Sequence, residues 1–144
     1  QVAIRDHCTD SNRVVLYRRM MYRIAHALAE LKSCQGLVTG ESVGQVASQT
    51  LKNLMAVSCV VPMSIFRPLI GMNKQEIITQ AKKIGTYDIS IEPQPDCCSV
   101  FMPDHPSTNC KIKYLEADER LYPWEELKSS ALDSVETIDL DDLD

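Results

Sequence analysis

The feature that most constrains the fold is a change of hydrophobic period around one short, glycine-bounded run. Between Asn12 and Lys32, the positions Val14, Met21, Ile24, Ala25, Leu28 and Leu31 keep helical spacing and predict an amphipathic helix. Arg18, Arg19 and Arg23 cluster in its first half, and Asp10 or Ser11 can cap its start. Gly36-Leu37-Val38-Thr39-Gly40 is too short for a helix and reads as a buried strand. Next comes a turn over Glu41–Gln45, and Val46 to Val57 reads as a second helix. Ser64-Ile65-Phe66-Arg67 is a second strand, stopped by Pro68. Asn73 with Glu76 three residues on forms a capping-box variant. Ile77, Ile78, Ala81 and Ile84 make that helix's apolar face, and Gly85 closes it. Helix and strand in alternation give an α/β fold, a parallel sheet with flanking helices. In such sheets ligands sit beyond the carboxyl ends of the strands, which here means the turn from Gly40 to Gln49.

The rest of the chain divides by charge and by proline. Residues 1–10 read as a frayed end, and residues 86–110, with Pro93, Pro95, Pro103 and Pro106, as an extended loop. Lys111–Leu121 and Pro123–Val135 are expected to be helices, with Pro123 at a first helical position. Residues 116–144 hold eleven Asp/Glu against two Lys/Arg, so the remainder carries a net +4 out of the chain's −5. We therefore expect a body at 1–121 and an acidic helix and tail at 122–144. A basic body fits contact with nucleic acid as well as it fits a plain solvated surface. No apolar run approaches the roughly 20 residues of a membrane helix. The start at Gln1-Val2-Ala3 shows neither an initiator Met nor a signal-peptide layout, so the expectation is a cytoplasmic piece of a longer protein.

The six cysteines have no zinc-ligand spacing, and no metal site is expected. Cys34 and Cys59 fall in apolar-patterned segments and read as small reduced hydrophobes. Cys97 and Cys98 stand in a polar, proline-rich setting, where a reactive thiol and an inert loop cysteine are both open. Asp96 would raise a neighbouring thiol's pKa, so activation would have to come from elsewhere, with His105 a candidate. Gly40 and Gly44 permit close approach of backbone to a ligand, and they equally suit a bare strand-to-helix turn. The stretch has no Gly-Lys-Ser/Thr and is not a Walker motif.

"LVTGESVGQVASQTLKNL" (37–54) is similar almost throughout to the signature of the tRNA 4-thiouridine synthases, the thiamine-biosynthesis sulfurtransferases. "RRMMYRIAHALAE" (18–30) resembles the helix before that signature, and residues 66–103 resemble the family's segment after it. The resemblance spans roughly residues 13–120. It implies the C-terminal half of a PP-loop ATP pyrophosphatase domain that adenylates uridine in tRNA, after which persulfide sulfur displaces AMP. It implies ATP with Mg2+, tRNA and a cysteine desulfurase as ligands and partners; a homodimer is a separate expectation, from apolar surface exposed where the missing half would pack. By position it makes Arg18, Gly40 and Gln49 ATP contacts, lining one crevice beyond Leu37 and Val38. The family's Pro-acid-X-Cys-small-Val pattern falls on Pro95 to Val100 and makes Cys98 the catalytic sulfur, with Cys97 at the variable position.

The family's Ser-Gly-Gly-Ile/Leu-Asp-Ser-Pro phosphate loop is not in these 144 residues, so the chain alone is expected not to turn over. Two other readings compete with this one. A PP-loop amidotransferase would not need Cys98, and a bare RNA-binding or dimerisation module would bind tRNA without regard to ATP or Arg18.

Overall fold

The computed structural model describes residues 1–94 and 100–139. Its elements are α1 (Val2–His7), α2 (Arg13–Leu31), β1 (Gly36–Val38), α3 (Leu51–Ser58), β2 (Ser64–Phe66), α4 (Lys74–Lys83), α5 (Tyr87–Ser90), α6 (Ile112–Glu119) and α7 (Trp124–Asp133). Short 3-10 turns precede α2 (Asp10–Asn12) and α3 (Ala47–Gln49). β1 and β2 pair in parallel with Leu37 opposite Ile65, joined by a crossover that contains α3. The α/β class and the parallel pairing agree with the sequence pattern. The strands are less buried than expected: Gly36 and Leu37 are half-buried and Val38 is 72% exposed. Two paired strands with helices such as α2 against them leave the rest of the sheet surface open.

The core gathers around α2. Val15, Leu16, Tyr17 and Tyr22 pack with Ile4 of α1, Ala56 and Val57 of α3, Leu115 of α6 and Tyr122. The amphipathic reading of α2 needs correction, because six consecutive residues from Val14 to Arg19 are buried while Met21 and Leu31 are exposed. The first half of this helix is enclosed by α1, α3, α7 and β1, so it has no solvent face to give its arginines. Residues 1–10 are not frayed either. Ile4 is 3% exposed in the core, and the Arg5 guanidinium lies over the Phe101 ring, 4.6 Å from its centre.

Several caps differ from expectation for one physical reason, a better partner elsewhere. Neither Asp10 nor Ser11 caps α2. Asp10 pairs with Arg13 at 2.5 Å, and the N-cap residue Asn12 sends its amide to Asp118, 2.8 Å away. The second helix starts at Leu51 rather than Val46, because Thr50 takes the N-cap and accepts from the Asn53 N–H. Pro123 stands one place before the first residue of α7, which ends at Asp133. The capping box of α4 is present as expected, with Glu76 reaching back to the Asn73 N–H at 2.7 Å. Cys34 and Cys59 are both exposed, in the α2–β1 loop and at the end of α3, so neither is a core hydrophobe.

The end of the 86–110 segment, from Ser107 to Cys110, is tied to the body. Asn53 has no exposed surface, and its side chain bonds the Ala47 and Ser107 carbonyls and the Cys110 N–H, at 2.8–2.9 Å. Cys110 is buried as a result. The acidic end is likewise tied to the body. Arg19 and Arg23 both grip Glu119, at 2.7 and 2.6 Å, and the Arg23 guanidinium lies over the Trp124 ring at 4.2 Å.

Two of these contacts can be tested directly. α2 and α4 end in the same 6→1 motif: Cys34 N–H bonds the Ala29 carbonyl, and Thr86 N–H bonds the Ala81 carbonyl. The left-handed residue is Gly85 in α4 (φ 77°) but Ser33 in α2 (φ 55°). Ser33→Gly should stabilise the fold by about 0.5–1 kcal/mol, since a Cβ disfavours that conformation; an unchanged or lower denaturation midpoint would refute this. Burial alone would raise the Glu119 pKa, but hydrogen bonds from Arg19 and Arg23 hold it below its ordinary 4.5. The pair therefore contributes full stability above pH 4.5 and loses it as pH falls through the depressed folded value. Glu119→Gln should cost roughly 3–5 kcal/mol at pH 7, because buried Arg19 and partly buried Arg23 lose their partner, and should flatten the acid limb of the melting profile. A variant with the wild-type acid limb would remove Glu119 from that account.

Candidate functional site

The site is built where β1 ends. After Val38 the chain turns through Thr39 and Gly40 and buries Glu41 (5% exposed) and Ser42 (3%) beneath the surface. Glu41 is the hub. Its Oε2 accepts from the Tyr22 hydroxyl at 2.6 Å, the Thr39 hydroxyl at 3.1 Å and Arg67 Nε at 2.5 Å. Its Oε1 pairs with the Arg18 guanidinium. Arg18 also donates from Nη1 to the Ser48 carbonyl at 2.8 Å, and Arg67 donates to the Ser58 hydroxyl at 2.6 Å. One carboxylate thus ties α2, the exit of β1 and the exit of β2 at a single point.

The turn itself is stitched on both sides. Ser42 donates its hydroxyl to the Met72 carbonyl at 2.5 Å and its N–H to the Gln49 side-chain oxygen at 2.9 Å. Gly44, at φ 76°, returns its N–H to the Gln49 carbonyl at 3.0 Å. Gln49 is therefore not inside a second helix, where the sequence pattern puts it. It sits in the 3-10 turn ahead of α3, with its amide oxygen already used to hold the turn.

A cavity of about 360 Å³ opens beside this turn. Arg18 and Gln49 supply its polar edge, and Val14, Val46, Ala47 and Met102 its apolar walls. Apolar walls with a few convergent polar groups suit a small flat ligand bearing an anionic or hydrogen-bonding end. Gly40 does not line this cavity, although it immediately precedes the carboxylate that pairs with Arg18. A Cβ built on Gly40 would meet nothing within 4 Å. A second cavity, about 310 Å³, lies on a different face of α2 between Ile4, Tyr17, Met20 and Leu127; its lining has no charged side chain.

Cys97 and Cys98 lie outside the described residues. Among the described cysteines, burial pushes the Cys8 thiol up to about 11, with Asp118 and Glu119 adding to the shift. Burial raises Cys110 as well. Both are protonated at neutral pH and are poor nucleophiles. Among the described residues no group of three or more His, Cys, Asp and Glu is placed to hold a metal ion, and no helix is long and apolar enough to cross a membrane.

Glu41, Arg67, Tyr22 and Ser42 do not stand out in the sequence as site residues. A signal is nonetheless there: a carboxylate directly after Gly40, at the carboxyl end of an apolar strand, is where a buried charge would need partners.

The model for the family described as thiamine biosynthesis protein (ThiI) matches residues 1–122. The chain belongs to that family. A probable tRNA sulfurtransferase of Moorella thermoacetica is 44% identical over 138 residues, covering 96% of this chain and 35% of that protein. One from Thermus thermophilus is 48% identical over 126 residues, covering 88% of this chain and 31% of the relative. The chain thus spans about a third of the length of the curated relatives it matches. A solved 4-thiouridine synthetase–RNA complex with bound ATP superposes with a TM-score of 0.86 at 40% identity, over 92% of this chain and 35% of that one.

The two turn glycines should separate cleanly on substitution. Gly44→Ala must force a Cβ into the left-handed region at the cost of about 1–2 kcal/mol, whereas Gly40→Ala should stay within about 0.5 kcal/mol of wild type. Equal losses in a denaturant melt would show that the turn does not work as described.

Proposed function

We propose that this chain is part of an ATP-dependent tRNA sulfurtransferase that converts a uridine to 4-thiouridine and also serves sulfur transfer for thiamine thiazole synthesis. In this reading residues 1–121 are the C-terminal half of a PP-loop pyrophosphatase domain, and 122–144 are an acidic helix and tail. The observation that carries it is the convergence of Arg18 and Gln49 on one cavity beyond the carboxyl end of β1. That is where an α/β sheet receives a nucleotide.

The roles rest on the chemistry of the groups. Arg18 offers a planar, permanently charged donor set suited to phosphate oxygens. Gln49, with its oxygen held by the Ser42 N–H, has its amide NH2 left to donate toward an adenine acceptor. Gly40 lies outside the cavity but is open on its Cα side, and in this reading its backbone meets the part of the nucleotide that extends past the cavity edge. Magnesium enters as the counterion of ATP's phosphates. The uridine oxygen attacks the α-phosphorus and pyrophosphate leaves. The outer sulfur of a Cys98 persulfide then attacks the activated carbon and AMP leaves. A second thiolate of the intact protein attacks the Cys98 sulfur, the S–S bond breaks, 4-thiouridine departs and the disulfide left behind is reduced by an external dithiol. Met102, four positions after Cys98 in the sequence, forms part of the cavity wall.

The partners of this reading are tRNA and a cysteine desulfurase that supplies the persulfide, with a homodimer as the assembly and the cytoplasm as the setting. The relative solved with RNA and ATP supports the first of these.

The test uses the intact protein. Cys98→Ser should abolish thiouridine formation, by several orders of magnitude in rate, while tRNA binding, ATP binding and the thermal melt stay close to wild type. Cys97→Ser should keep substantial activity. Wild-type thiolation by Cys98→Ser, or total loss in Cys97→Ser, would mean that the wrong sulfur has been named. Thiolation of unmodified tRNA by residues 1–144 alone would overturn the assignment of this chain as half of the catalytic domain.

A further inference from the structure

We propose that Glu41 is a positioning residue for the ATP step: it holds the Arg18 guanidinium at the edge of the cavity in the orientation that receives the nucleotide. The inference rests on the reading of Arg18 as an ATP contact, and it adds a residue that reading does not contain.

Arg18 is a long side chain on a helix, 9% exposed, and it reaches the cavity from α2, whereas Gln49 comes from the turn before α3. Two elements that arrive from different parts of the chain stay in register only if something ties them. Two bonds do so for Arg18: Nη1 to the Ser48 carbonyl, next to Gln49, and Nη2 to Glu41. The carboxylate is itself immobile. It is 5% exposed and takes three further donors, from Tyr22, Thr39 and Arg67. Arg67 is in turn held by the Ser58 hydroxyl. A guanidinium with one edge on such an anchor has few rotamers left, so its ordering entropy is spent during folding rather than on binding.

The same carboxylate lies between Gly40 and Ser42, whose N–H holds the Gln49 amide. Arg18 and Gln49 are therefore oriented by two adjacent residues of one turn. Glu41 does not line the cavity, so it acts on the nucleotide through Arg18.

The experiment is a double-mutant cycle on the intact protein, with Glu41→Gln, Arg18→Ala and the pair, reading ATP affinity by calorimetry, KM for ATP and kcat in thiolation, tRNA affinity, and the thermal melt. Glu41→Gln keeps the shape and an accepting oxygen but removes the charge. It should weaken ATP binding and raise KM for ATP by roughly 10–100-fold, the usual effect of removing a group that orients a ligand-binding one, with tRNA affinity unchanged. In the Arg18→Ala background the same substitution should add little, because the residue it positions is gone. If Glu41→Gln does not melt cooperatively, Glu41→Asp serves: the charge is kept but withdrawn by one methylene, with a smaller loss that again vanishes in the Arg18→Ala background.

Full additivity of the two losses, or wild-type KM for ATP in Glu41→Gln and Glu41→Asp, would overturn the positioning role while leaving Arg18 as an ATP contact. Unchanged ATP affinity in Arg18→Ala would instead overturn the underlying reading, and this inference with it.

Discussion

Two consecutive arginines are buried in the middle of α2, and much of the molecule is arranged around neutralising them. Arg18 is 9% exposed and Arg19 2%. An unpaired buried guanidinium costs several kcal/mol, so each must meet a carboxylate inside the fold. Neighbours on a helix point about 100° apart, and the two partners therefore come from different directions. Glu41 arrives from the end of β1 and Glu119 from the end of α6, 78 residues apart in the chain. These two ion pairs bring the turn beyond β1 and the end of α6 to two different flanks of one helix.

The two pairs differ in their surroundings. Arg19 is held by Glu119, by the Ala56 carbonyl at 2.6 Å and by Cys59 sulfur at 3.4 Å, and is 2% exposed. Arg18 stands at a cavity wall. The strongly charged grip on Glu119 also joins the acidic end of the chain to the basic body, with Arg23 clamped between Glu119 and the Trp124 ring. The charge asymmetry seen along the sequence is thus partly internal to the fold. Some of the acidic segment neutralises the body rather than facing solvent.

The helix–strand alternation, the capping box at Asn73 and the C-cap at Gly85 are legible in the sequence because each is set by residues within a few positions of one another. Periodicity locates helix α2 correctly but makes it amphipathic, since it reports apolar residues and is blind to arginines that are buried with partners from far along the chain. The start of α3 is misplaced by sequence for a related reason. Val46 to Val57 has helical composition, but Gly44 and Gln49 close a turn on each other and Thr50 offers the N-cap. For the candidate site, Arg18 and Gln49 and their meeting at one crevice are legible in the sequence and its resemblance, whereas the place of Gly40 outside that cavity requires the fold. Glu41 stays hidden because its importance lies wholly in contacts to Tyr22, Arg67 and Arg18, none of them closer than 19 residues in sequence.

Glu41 lies beneath the cavity rather than in its wall, and that placement bears on how the cavity keeps its geometry. The cavity's apolar walls come from α2, from the turn before α3 and from Met102, with Arg18 bonding the Ser48 carbonyl across the first two. Dispersion and hydrophobic contact hold such surfaces together without fixing direction. Direction comes from the charged cluster beneath, where Glu41 meets donors with short, angle-dependent bonds. Asn53 does the same on the far side, through the Ala47 and Ser107 carbonyls and the Cys110 N–H. Apolar residues thus give the cavity its volume, and two buried polar anchors, Glu41 and Asn53, give it a fixed shape.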